Sequence, residues 1–112
     1  MSETYKLIIL PEAQHDIREI VLYIAGELAS PQAALNLQDA FEDAIKSLAN
    51  IPERVRLADE QPWKDAGIRK IRVKNYYIYF VIDEKEAAVK IMAVIYVGRD
   101  QTKQMAERNM EE

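Results

Sequence analysis

Residues Gly67 to Ile82, GIRKIRVKNYYIYFVI, constrain the fold most tightly, because they read as two strands turned back on each other at Lys74-Asn75. Strand side chains alternate between faces. In the first strand Arg69, Ile71 and Val73 fall on one face, and Lys70, Arg72 and Lys74 on the other. The second strand, aromatic and β-branched, suits a packed pleated surface. It divides into Tyr76, Ile78, Phe80 and Ile82 against Tyr77, Tyr79 and Val81. Four basic residues and four aromatic rings thus share a hairpin with no acidic residue before Asp83. A hairpin of this kind is either a half-buried sheet with a solvated cationic face or a surface for an anionic partner.

The rest of the chain must supply what covers that hairpin. At 112 residues the chain reads as one domain, 1–112, with a polar tail at 101–112. The absence of cysteine excludes disulfide staples and thiolate metal sites and is compatible with the cytoplasm. No apolar run reaches the roughly 20 residues of a membrane span, and the N-terminus does not read as a signal peptide. The net charge of −4 argues against blanket nucleic-acid binding. Its distribution is uneven: residues 1–50 hold 3 basic and 8 acidic residues, and residues 51–112 hold 12 and 11. Contact with an anion is therefore expected to be local to the hairpin and its neighbours.

Tyr5 to Leu10 predicts a short strand, ended by Pro11, which suits a first helical turn. Ala13, Ile17, Ile20, Val21, Ile24, Ala25 and Leu28 recur at helical spacing, predicting a helix over 12–29. Ser30 is expected to cap a second helix with Pro31 in its first position. Ala34, Leu37, Phe41, Ala44, Ile45 and Leu48 form the stripe of that helix, 31–49. The short link makes the pair an antiparallel hairpin. Leu22, Tyr23 and Leu35 lie off the two stripes and are candidates for a partner surface. Residues 50–66 are irregular, interrupted by Pro52 and Pro62, and carry Arg54 and Arg56. Trp63 reads either as an anchor for this loop or as a stacking platform. Ala88 to Val97 predicts a last strand, with Val89, Ile91, Ala93 and Ile95 on one face and Lys90, Met92, Val94 and Tyr96 on the other. The expected class is α+β: an N-terminal strand, a helical hairpin, then a three-stranded antiparallel run completing a roughly four-stranded sheet.

Most catalytic constellations are missing from the sequence. His15 is the only histidine, only 3 glycines are present, and no metal-ligand cluster or cofactor motif stands out. Metal-independent RNA cleavage is the chemistry left open, since it needs cations on the phosphate and groups that move protons. Arg69, Lys70, Arg72, Lys74 and Arg99 could supply the cations, Tyr77, Tyr79 or Tyr96 an acid, and Glu53 or Glu60 a base.

Four local patterns in order, YKLIILPEAQHDI, LANIPERVR, GIRKIRVKNYYIYFVID and IMAVIYVGRD, resemble the RelE/ParE superfamily, the toxins of type II toxin–antitoxin systems, which includes plasmid-stabilisation proteins. The resemblance spans about residues 5–105. It implies a cytoplasmic growth-inhibiting toxin, without cofactor, neutralised by a cognate antitoxin. The RelE branch cuts messenger RNA in the ribosome and the ParE branch poisons DNA gyrase; an inert module retaining antitoxin recognition is the alternative. Carried over by position, Arg69 or Arg72 matches the family's middle-strand arginine and Arg99 the one after the last strand. The three are expected to converge near one end of the sheet, with Arg69 at the frayed start of its strand beside Gly67, and Lys70, Lys74, Tyr77, Arg54 and Arg56 are expected toward the target. Leu22, Tyr23 and Leu35 are expected to face the antitoxin. Tyr77 and Tyr96 stand where nuclease members often have arginine and histidine, and Gln104 and Met105 lie near the place of a C-terminal tyrosine. These departures fit a ParE-like binder or a weakened nuclease better than an active one.

Overall fold

A computed structural model describes residues 4–98 of the chain. Arg99 and the tail, with Gln104 and Met105, lie outside the described residues. Strand β1 (Lys6–Ile9) leads into helix α1 (Pro11–Leu22), which continues as a π-helical turn at Tyr23–Glu27. Helix α2 (Pro31–Ser47) follows, then a short 3-10 turn at Pro52–Arg54. Strands β2 (Ile68–Val73), β3 (Tyr76–Asp83) and β4 (Ala88–Tyr96) complete one sheet, in the order β1-β4-β3-β2. β1 runs parallel to β4, and the other neighbours are antiparallel. The architecture is the expected α+β one.

Pro11 and Pro31 each occupy a first helical position, where a missing N–H removes no bond. Ser30 makes no capping bond to α2; its hydroxyl donates to the Leu28 carbonyl at 3.1 Å. The first helix also departs from the expected 12–29. From Tyr23 the ladder widens, with the Leu28 N–H donating to the Tyr23 carbonyl at 3.1 Å. A widened turn carries one extra residue and resets the phase of the apolar stripe. Leu28, expected in the stripe, is consequently 52% exposed. Helix α2 follows its stripe, with Leu37, Phe41, Ile45 and Leu48 buried in the core shared with the sheet and Ala34 also buried.

The β2–β3 hairpin turns on two residues, Val73 pairing with Tyr76, and Lys74 takes φ +54°. Ile78 and Phe80 face the helices as the alternation predicts, while Tyr79 packs on the opposite face. β4 breaks its alternation. Tyr79 pairs with Ala93 but Phe80 with Ile91, so Met92 is an extra residue, a β-bulge. Val89, Ile91 and Val94 pack toward the helices, whereas Ala93 and Ile95 join Tyr79 and Trp63. The expected face Val89-Ile91-Ala93-Ile95 is therefore divided between two clusters. β1 ends before this part of β4, and α1 meets it there instead: the Val94 N–H donates to Asp16 Oδ2 at 2.9 Å.

The second face of the sheet is covered by the loop before β2. Trp63 is 2% exposed and packs on Ile68, Tyr79 and Ile95. It is the anchor of the loop, and its burial rules out a stacking platform.

Candidate functional site

β2 presents its basic residues to two different surroundings. Arg69 pairs across the hairpin with Phe80 and reaches the loop after α2, where Nη1 donates to the Val55 carbonyl at 2.5 Å and the Glu53 carbonyl at 3.3 Å. Its guanidinium clamps that loop to the sheet edge. Lys70 lies on the opposite face. Its Nζ is 3.2 Å from Glu60 Oε2 and 4.3 Å from the centre of the Tyr77 ring. Arg72 is exposed and sits opposite Tyr77 in the register, and its Nε donates to the Lys74 carbonyl at 2.8 Å. Lys74 is exposed on the turn. Arg69 thus stays inside the strand, on the other side of the sheet from Arg72, and the two do not converge. Arg99 lies outside the described residues.

The remaining basic candidates do structural work of different weight. Arg54 Nη2 donates to the carbonyl and the hydroxyl of Ser47, both at 3.1 Å, and so satisfies the end of α2. Arg56 lies 3.5 Å from Asp59, with side chains 87% and 75% exposed, a pairing that contributes little.

The proton-transfer candidates are held by neighbours. Glu53 Oε2 accepts the Tyr5 hydroxyl at 2.6 Å. That bond holds the Glu53 carboxyl below its usual range and pushes the Tyr5 hydroxyl up to about 12. Burial raises the Tyr79 hydroxyl above its ordinary value. A carboxylate made more acidic is a poorer base, and a phenol made less acidic a poorer acid. Tyr96 is half-exposed and lies edge-on against Tyr76, ring centres 5.7 Å apart. His15 is exposed on α1. No group of three or more potential metal-ligating side chains occurs among the described residues.

Leu22, Tyr23 and Leu35 are each more than half exposed, as expected for residues off the stripes. Two grooves adjoin Leu22 and Tyr23, and Leu35 lines neither. One, of about 510 Å³, runs between the helices beside β1 and includes Leu7, Ile17, Val21, Leu22 and Phe41. The other, of about 930 Å³, lies between the helical hairpin and the β2–β3 turn and includes Tyr23, Leu28, Lys74, Tyr76 and Tyr96. The sequence marked Leu22 and Tyr23 but not the groove walls, because Ile17 and Val21 repeat at the same spacing as fully covered residues. Among the described residues β1 is an outer strand of the sheet. Its two ends are occupied, by the Tyr5 N–H donating to the Ala49 carbonyl at 2.8 Å and by Gln14 Nε2 donating to the Ile9 carbonyl at 2.7 Å.

Comparison with known proteins places this geometry. A family model described as the ParE toxin of type II toxin–antitoxin system, parDE, matches residues 7–101. A search of curated proteins finds no match. Among solved structures, a chain of the chromosomal ParDE toxin–antitoxin system from P. aeruginosa superposes with a TM-score of 0.69 at 16% identity, covering 84% of this chain and 97% of that one. A chain of the RelBE2 toxin–antitoxin complex from Mycobacterium tuberculosis gives 0.59 at 20% identity, covering 84% and 92%. These two likenesses show a shared fold. The family match spans nearly all the described residues, and the chain belongs to the ParE toxin family of type II toxin–antitoxin systems.

Proposed function

We propose that this toxin inhibits growth as the ParE branch does, by holding a large protein target, DNA gyrase, in the cytoplasm, and that a cognate antitoxin neutralises it. The observation that carries the reading is the state of the proton-transfer candidates. Glu53 is tied to Tyr5, Glu60 lies against Lys70, and Tyr79 is buried. The exposed cations Arg72 and Lys74 remain suited to pairing with acidic protein surface. Arg72, Lys74 and Arg99 are the residues assigned to the target, with Tyr77 opposite Arg72 in the hairpin.

The antitoxin is assigned to the groove beside β1. Its floor is apolar, and the strand next to it has one edge turned outward, a combination that accepts an amphipathic segment or an added strand. The ParDE and RelBE2 structures are of toxin–antitoxin systems, which supports a partner of this kind.

The test is controlled expression in a bacterium with DNA supercoiling and transcript integrity followed together, in wild type and in Arg72→Ala and Arg99→Ala. Blocked supercoiling with intact transcripts, relieved in the variants, is the expected result. Cleaved messenger RNA that disappears in the variants would instead establish the RelE-like route. Unaffected growth with folded protein present would leave an inert antitoxin-binding module.

A further inference from the structure

The second face of the sheet carries a contact that neither the fold nor the proposed function requires. The Lys70 ammonium lies between the Glu60 carboxylate, at 3.2 Å, and the Tyr77 ring, at 4.3 Å. The Lys70 and Glu60 side chains are only 18% and 22% exposed. The fit is poor on the acid's side: Glu60 Oε1 is buried with no hydrogen-bond partner. A buried carboxylate oxygen left unpaired loses its hydration without replacement, so such a pair adds little to stability. Glu60 is also an acidic group brought to a hairpin that has none of its own between Gly67 and Ile82. Arg72 stands on the same strand face, two residues along from Lys70.

We infer that Lys70, Tyr77 and Arg72 form a carboxylate-binding site that Glu60 keeps closed, and that an acidic protein segment opens it by replacing Glu60 on Lys70. The present occupant is itself a carboxylate, so the position already accepts a group of that size and charge. The net charge of −4 disfavours a polyphosphate chain, whose binding depends on many cations at once. One lysine gripped by a ring, with one arginine beside it, fits one or two carboxylates. The inference rests on the reading of the target as a protein, and its test uses purified full-length chain without gyrase, so the two fail separately.

The probe is a labelled ten-residue glutamate peptide, with decauridylate RNA as comparator, each titrated by fluorescence anisotropy. Glu60→Gln binds the peptide about five-fold tighter than wild type, the release expected from an internal pair of this exposure. Adding Lys70→Met abolishes the gain. Asp59→Asn makes the same charge change on the neighbouring exposed residue and gives less than about two-fold. Trp63, the only tryptophan, reports whether the loop stays docked. If its emission shifts to the red in Glu60→Gln, the comparison passes to wild type against Lys70→Met, where about five-fold weaker peptide binding is expected. Unchanged peptide affinity in the comparison that applies overturns the site. A gain equal to that of Asp59→Asn reduces it to net charge and also overturns it. A gain for RNA without one for the peptide overturns the acidic segment in favour of nucleic acid.

Discussion

Ile51 has a β-branched side chain in a left-handed backbone, φ +48°, and is 56% exposed. The left-handed region crowds a branched Cβ, at a cost of about 1–2 kcal/mol, and asparagine tolerates it better. Ile51→Asn is therefore expected to raise stability by about 0.5–1 kcal/mol, seen as a higher urea midpoint with unchanged slope. Asp16 is the opposite case, a polar side chain that completes the sheet. Its carboxylate takes the Val94 N–H where β1 no longer runs alongside β4. Asp16→Ala should cost about 1.5–3 kcal/mol, the range for a hydrogen bond to a charged group, measured by the same denaturation. Neither role was legible in the sequence. Ile51 and Asp16 look ordinary there, and what distinguishes them is a backbone angle in one case and a partner 78 residues away in the other.

The elements themselves were largely legible, because periodicity and proline placement are local signals. The α2 stripe and the two-residue hairpin followed directly. The two irregularities did not. β4 is apolar on both sides, so the extra Met92 leaves no polar residue out of phase to betray the bulge. The π turn after Leu22 hides in the same way, within a run that continues to offer apolar residues at helical spacing. Arg69 was readable as a cation but not as a clamp, since its acceptors are backbone carbonyls that no sequence pattern marks. Two carboxylates tie elements together in a manner that titrates. Glu53 is held below its usual range by the Tyr5 hydroxyl, and Asp83 by the ammonium of Lys90, 3.0 Å away. A carboxylate with a lowered folded value contributes stability above its unfolded value, near pH 4, and loses it as pH falls through the folded one. Tyr5 has the reverse sign: its contribution is present below about pH 10 and is lost as pH rises toward about 12. Urea midpoints should decline at both ends, and Tyr5→Phe should flatten both limbs, with Asp83 keeping part of the acid one and the buried Tyr79 part of the alkaline one.

The groove proposed for the antitoxin has walls from β1, α1 and α2. Val21→Asp places a charge on that wall and is expected to weaken the complex at least about ten-fold, as an uncompensated desolvated charge does. Leu35→Asp, on the outer side of α2, distinguishes how far the partner wraps. Pull-down with the co-expressed partner, alongside circular dichroism of each variant, checks both; full complex formation by folded Val21→Asp would move the antitoxin off this groove. The pairing of β1 with β4 has a consequence in time. Lys6 lies opposite Ala88, so the first strand waits for the last before the sheet can close. At roughly 5–20 residues per second, the intervening chain takes on the order of 4–16 s to synthesise. As it grows over that interval, the nascent chain presents first helices without a floor and then a hairpin without its neighbour β4. A ribosome that stalls or falls off before β4 therefore releases a chain whose sheet cannot close, and the folded toxin exists only once β4 has been made.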